Sequence, residues 1–117
     1  HFVLTVTSKP ERARALFHDI MDSPDSSMAV VVADVAKADD VARVLDVARK
    51  QPKPFRSIIH VAGVSMETLV PDVRSSKLEE ACGAKALGTW HLHEQTLNDD
   101  LEDFIVVSSI ITKVRLM

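Results

Sequence analysis

The chain has 117 residues, 46% hydrophobic and 26% charged, with a formal net charge of −3, which is the balance of one globular domain or part of one and not of a disordered tail. So slight a negative charge gives no electrostatic basis for binding nucleic acid or an anionic membrane. No apolar run approaches the roughly 18 residues of a bilayer span, and the N-terminal residues lack a signal-peptide layout, so a cytoplasmic location is expected.

Phe2–Thr7 is a short β-branched strand candidate. Ser8-Lys9-Pro10-Glu11 then signals a helix start, with a cap candidate, a proline in the first turn and an acid. That helix is expected to turn Ala13, Leu16, Phe17 and Ile20 inward and to stop at Asp22-Ser23-Pro24. Met28–Ala33 is apolar without alternation, the pattern of a strand buried on both faces. After Asp34, Ala38-Asp39-Asp40 opens a second helix whose stripe is Val41, Val44, Leu45 and Ala48; Lys50-Gln51-Pro52-Lys53-Pro54 ends it. Ser57–Ala62 is a third strand, closed by Gly63, and 64–74 is a loop or short helix broken by Pro71.

Ser75 or Ser76 begins a long helix to about Leu97, with Glu79 completing a capping box if Ser76 is the cap. At 3.6 residues per turn, Leu78, Cys82, Thr89 and Leu92 share one face with Lys85 in its middle. The single cysteine, Cys82, excludes an internal disulfide and is expected as a small buried hydrophobe. Trp90 is expected to pack, and His60 to be a strand residue with a satisfied ring. His91 and His93 lie about 200° apart around the helix, so no metal pair is expected. Asp99-Asp100-Glu102-Asp103 is an acidic turn read as solvated, and Phe104–Val107 is a fourth buried strand ending at Ser108-Ser109. The β-α-β-α-β-α-β order of buried-type strands predicts an α/β parallel sheet with flanking helices. Lys85 and Ser109 are expected to converge at its carboxyl edge, where open α/β sheets keep their ligand crevice.

The blocks ADV (33–35), IIHVAGV (58–64), KALGTWHLHE (85–94) and DFIVVSS (103–109) resemble the ketoreductase domain of type I polyketide synthases, a branch of the short-chain dehydrogenase/reductase superfamily. The resemblance implies a Rossmann-like sheet present as an incomplete fragment, the central portion of a ketoreductase domain over 1–117. It implies NADPH-dependent reduction of a β-ketoacyl thioester, carried on an acyl carrier protein, to the β-hydroxyacyl thioester. The implied partners are that carrier-bound substrate and other synthase domains, with a homodimer formed through the parent synthase.

Carried over residue by residue, the resemblance implies that Lys85 orders the proton relay and that Ser109 hydrogen-bonds the substrate carbonyl. Asp34 and Val35 would flank the adenine ring, and Ala62 and Gly63 would let backbone approach the nicotinamide ribose. Lys9 follows the first strand, where NADPH enzymes hold the ribose 2′-phosphate. The sequence departs from the family in three ways. Its only glycines are Gly63, Gly83 and Gly88, so no G-x-G-x-x-G can be written, and it has no tyrosine to act as the proton donor. It reads Ser65-Met66-Glu67 where some members carry a motif that sets product stereochemistry. The fragment alone is therefore expected to be inactive. Two other readings stand beside this one: a non-catalytic reductase-like scaffold inside a megasynthase, and a stand-alone short-chain dehydrogenase acting on a small free substrate. If the first, central strand is missing, the Phe2 and Met28 strands should form one half-sheet and the Ile58 and Phe104 strands another.

Overall fold

The continuous β-branched runs form strands and the 3.6-period segments form helices, in the expected alternation. The computed structural model describes residues 1–63, 71 and 73–108, without the side chain of Ile20. In chain order it contains β1 (Phe2–Val6), α1 (Pro10–Leu16), α2 (His18–Met21), β2 (Met28–Val32), α3 (Ala38–Arg49) and β3 (Ser57–His60). Then come α4 (Ser75–Cys82), a π-helical turn (Gly83–Leu87), α5 (Gly88–Gln95) and β4 (Asp103–Val106). β1 pairs in parallel with β2, Phe2 opposite Met28 through Val6 opposite Val32. β3 pairs in parallel with β4, Ser57 opposite Asp103 through His60 opposite Val106.

These are two separate two-stranded sheets, as the half-sheet reading expects. A cavity of about 750 Å³ lies between them, lined by Phe2–Thr5 of β1, Ser57–His60 of β3, and Val41, Val44 and Leu45 of α3. One helix face holds the halves together. Val41, Val44, Leu45 and Ala48 of α3 are all buried, as the stripe predicts, and Val41 is 0% exposed. Val41 and Leu45 form a cluster with Val35 and Leu92, against which Phe55, Ile58, Ala84 and Phe104 pack.

The acidic turn before β4 is gripped, not merely solvated. Arg49, at the end of α3, donates from Nε to Asp99 Oδ1 (3.2 Å) and from Nη2 to Asp99 Oδ2 (2.6 Å), and also from Nη2 to the Gln95 carbonyl (2.7 Å). Such a fork binds a carboxylate with defined geometry, and Asp99 raises the Arg49 pKa further. Arg56 pairs with Asp100 on the other side of the turn.

Four expectations need correction. Burial on both strand faces is not met: Ile59 is 65% and Ile105 46% exposed, while Val61 and Val107 lie exposed just beyond their strands. Successive strand residues point to opposite faces; Ile58 and Phe104 turn toward the α3 core, so Ile59 and Ile105, opposite each other in register, turn away from it. The first helix is split at Phe17, and of the described side chains of its stripe Ala13 alone is buried, with Leu16 71% exposed. Neither predicted serine caps a helix: Lys9 and Arg74 stand at the two N-cap positions, without side-chain cap bonds. Cys82 is exposed, not buried, as is Leu78 on the same face of α4, so that face has no covering element among the described residues. Trp90, expected to pack, is 57% exposed, with its ring beside that of His93.

Leu45→Ala should destabilise the chain by about 2–5 kcal/mol, whereas Leu16→Ala should change stability by no more than about 0.5 kcal/mol. Urea unfolding followed by circular dichroism would check both; equal effects would contradict the placement of the core on α3.

Candidate functional site

Val35, beyond the carboxyl end of β2, and His60, at the carboxyl end of β3, meet at Gly88. Beyond β2 the chain turns at Asp34, where three hydrogen bonds hold the backbone. The Asp34 N–H donates to Asp40 Oδ2 (2.7 Å), the Lys37 N–H donates to the Asp34 carbonyl (2.9 Å), and the Ala36 N–H donates to Asp34 Oδ1 (3.1 Å). Arg43 braces the same carboxylate, donating from Nη2 to Asp40 Oδ1 (2.7 Å) and to the Val32 carbonyl (2.9 Å). The Asp34 N–H, with help from Arg43, holds the Asp40 carboxyl below its ordinary pKa of 3.8.

Val35 follows with its side chain buried in the core. A Cβ built on Gly88 would stand 2.9 Å from Val35 Cγ2 and 3.3 Å from His60 Cε1, so α5 approaches the β2 turn and the end of β3 through a glycine. The Val35 side chain is therefore committed to packing. Lys9 is exposed and holds a left-handed backbone (φ 54°, ψ 58°) at the start of α1, a conformation that costs a non-glycine residue about 1 kcal/mol.

At the end of β3 the pairing runs one step further. The Val107 N–H donates to the His60 carbonyl (2.9 Å), so Val61–Gly63 and Val107–Ser108 leave the sheet side by side. Ala62 and Gly63 are exposed there. Lys85 lies across Gly63: a Cβ on that glycine would stand 2.5 Å from Lys85 Cε and 3.3 Å from Cγ. The lysine stem thus occupies the space that a side chain at position 63 would take, and being flexible and exposed it would be displaced by one. The structure brings Lys85 and Gly63 together; Ser109 lies outside the described residues.

Lys85 does not sit on a buried helical face, as the 3.6-residue phase predicts; it is exposed. It belongs to the π-turn, in which the Gly88 N–H reaches back five residues to the Gly83 carbonyl. Such turns hold one residue more than an α-turn and recur at functional sites. The Thr89 hydroxyl bonds the Lys85 carbonyl, and His60 Nε2 lies 2.9 Å from the Ala84 carbonyl. The satisfied ring expected of His60 is found, with the Ala84 carbonyl as its partner; the π-turn is the feature that sequence reasoning missed. The glycines at 83 and 88, flanking the lysine, were the available signal. Among the described residues no group of three or more His, Cys, Asp or Glu side chains gathers for a metal, and no helix is long and apolar enough to cross a membrane.

The carboxyl end of β3 thus carries exposed backbone at Ala62–Gly63 with one lysine laid over it, and Asp34 stands at the turn beyond β2; carboxyl strand ends are where open α/β sheets keep their ligand crevice. The family model of the KR domain matches residues 1–115. Among curated proteins, the chain is 33% identical to a highly reducing polyketide synthase of Pyrenophora dematioidea, over 95% of this chain and 4% of that protein. It is 34% identical to the phenolphthiocerol synthesis polyketide synthase type I Pks15/1 of Mycobacterium marinum, over 76% of this chain and 4% of that one. The chain thus spans about 4% of the length of these relatives. Among solved structures it matches an N-terminal ketoreductase from a macrolactin assembly line (TM-score 0.83, 21% identity, 92% of this chain and 22% of that one). It also matches an alcohol dehydrogenase from the archaeon Thermococcus sibiricus, complexed with 5-hydroxy-NADP (TM-score 0.83, 18% identity, 98% and 49%). These two likenesses establish the Rossmann-like fold.

Two substitutions probe the geometry. Gly88→Ala gains about 1 kcal/mol of helix propensity but forces a methyl against β-branched Val35, an overpacking cost of about 1–3 kcal/mol; a net loss of stability in urea unfolding is expected. Asp40, with its folded pKa lowered, contributes stability that is present above 3.8 and lost as pH falls through the lower folded value. Asp40→Asn should therefore lower stability at neutral pH and flatten its decline in acid, measured as the unfolding midpoint across a pH series.

Proposed function

This chain belongs to the ketoreductase (KR) domain family of type I polyketide synthases, and from that premise we propose that it forms part of an NADPH-dependent reductase of β-ketoacyl thioesters carried on an acyl carrier protein. The observation that carries the reading is Lys85 laid across the Gly63 backbone at the carboxyl end of β3, beside the segment that leads from β4 to Ser109.

The residues present fit one edge of a nicotinamide dinucleotide. Asp34 and the Val35 backbone stand at the β2 turn for the adenine side. Ala62 and Gly63 offer exposed backbone for the ribose, with Lys9 beyond β1 for the 2′-phosphate. The chain's three glycines, Gly63, Gly83 and Gly88, do not compose a pyrophosphate cradle. When bound, the cofactor supplies a hydride. Hydride addition builds negative charge on the carbonyl oxygen, and the Ser109 hydroxyl is the donor assigned to stabilise it. Lys85 is assigned to order the proton relay from the crevice wall. The proton itself needs a donor that this chain, with no tyrosine, does not carry in the family's form. Other synthase domains and the carrier protein are the partners this reading requires; a second synthase copy is a further partner that the resemblance allows.

In the intact protein that carries this chain, Lys85→Ala and Ser109→Ala should each cut turnover by about 10²-fold or more, with NADPH affinity little changed. NADPH oxidation with a β-ketoacyl thioester mimic measures this; wild-type turnover in both variants would refute the assignment. The 117-residue chain alone should show no turnover above background, and in calorimetry weak NADPH binding or none.

A further inference from the structure

We propose that His60 is a positioning residue, whose ring fixes the π-turn so that the Lys85 stem is held on Gly63; this rests on the role given to Lys85 above. His60 is 5% exposed, while its neighbours Ile59 and Val61 are 65% and 63% exposed. Its Nε2 lies 2.9 Å from the Ala84 carbonyl. A carbonyl only accepts, so Nε2 carries the proton and donates. Ala84 immediately precedes Lys85 inside the π-turn. The edge of the ring meets the place where Gly88 closes that turn, since a Cβ on Gly88 would stand 3.3 Å from His60 Cε1. The imidazole therefore touches the turn at both ends.

The backbone of His60 completes the circuit. Its carbonyl accepts the Val107 N–H at 2.9 Å, tying it to the segment that leads into Ser108 and Ser109. Three residues further on, Gly63 receives the Lys85 stem. From ring to Ala84, to Lys85, to Gly63 and back along the chain to His60, the contacts form a closed loop. An exposed lysine has many rotamers of similar energy, and fixing its backbone against the surface it crosses narrows them. A π-turn is the less common way to close a helical turn, and a buried donor aimed at one of its carbonyls favours it over the α-helical alternative. A histidine kept only to fill the core would need no donor directed at this one carbonyl.

The test uses the intact protein with His60→Leu, which removes the donor, and His60→Gln, whose amide N–H restores one. Amide hydrogen exchange reads the turn without reference to activity. His60→Leu should lower protection of the Lys85–Gly88 amides about tenfold while leaving Leu45 and Ala48 of α3 unchanged, and His60→Gln should recover most of it. Turnover should fall about tenfold or more in His60→Leu, with KM for the thioester mimic nearly constant. In a Lys85→Ala background the same change should cost little, because both substitutions remove one function. Unchanged protection of the turn would overturn the proposal. So would a loss spread evenly over the domain in both His60 variants, or fully additive effects on turnover. Should Lys85→Ala itself leave turnover intact, the reading of Lys85 fails, and the exchange measurement still decides whether His60 holds the turn.

Discussion

The molecule depends on a single face of α3. β1–β2 and β3–β4 share no backbone ladder, so the hydrogen bonding that makes most sheets one body is absent between them. Val41 and Leu45 supply the connection, packing with Val35 from the β2 turn and Leu92 from α5, and drawing in Ile58 and Phe104 from the second half-sheet. Burial of this kind is undirected and worth roughly 25 cal/mol per Å² of apolar area. It holds the halves near each other without fixing register. A directed contact is added at the surface, where the Arg49–Asp99 fork ties the end of α3 to the turn before β4.

Much of this was legible in the sequence because it depends on periodicity. The four strands lie where unbroken β-branched runs put them, within one or two residues at each end. The α3 stripe is the one its spacing dictates, down to Ala48. The separation into half-sheets followed from strand order. Other features depend on partners that a one-dimensional pattern does not contain. Leu16 has the right spacing for burial, but spacing says only that residues share a face, not that something covers it. Ile59 and Ile105 looked like interior strand residues for the same reason.

The candidate residues were more legible in position than in geometry. Asp34, Ala62 and Gly63 follow carboxyl strand ends, as chain order implied, whereas the lay of Lys85 across Gly63 is a contact that no linear pattern contains. The orientation of Lys85 was misjudged because helical phase was carried unbroken from Leu78 to Leu92. Val35 was assigned to the ligand, yet its side chain serves the core and meets Gly88. Family resemblance gives the position at which a residue acts; packing decides whether its side chain or its backbone is available there.

The turn around Lys85 also makes this stretch sensitive to length. Closing from residue i to i+5, it stores one residue beyond the α-helical number. Deleting one residue between Gly83 and Leu87 removes that stored residue, so the turn reverts to α-helical closure while α5 keeps its phase relative to α4. Leu92 and Thr96 stay turned toward the interior, as they are now. The loss falls on the turn itself, where the Lys85 stem lies against Gly63 and His60 meets the Ala84 carbonyl. One residue of length is thus spent on the local shape around the lysine, and the helices on either side are indifferent to it.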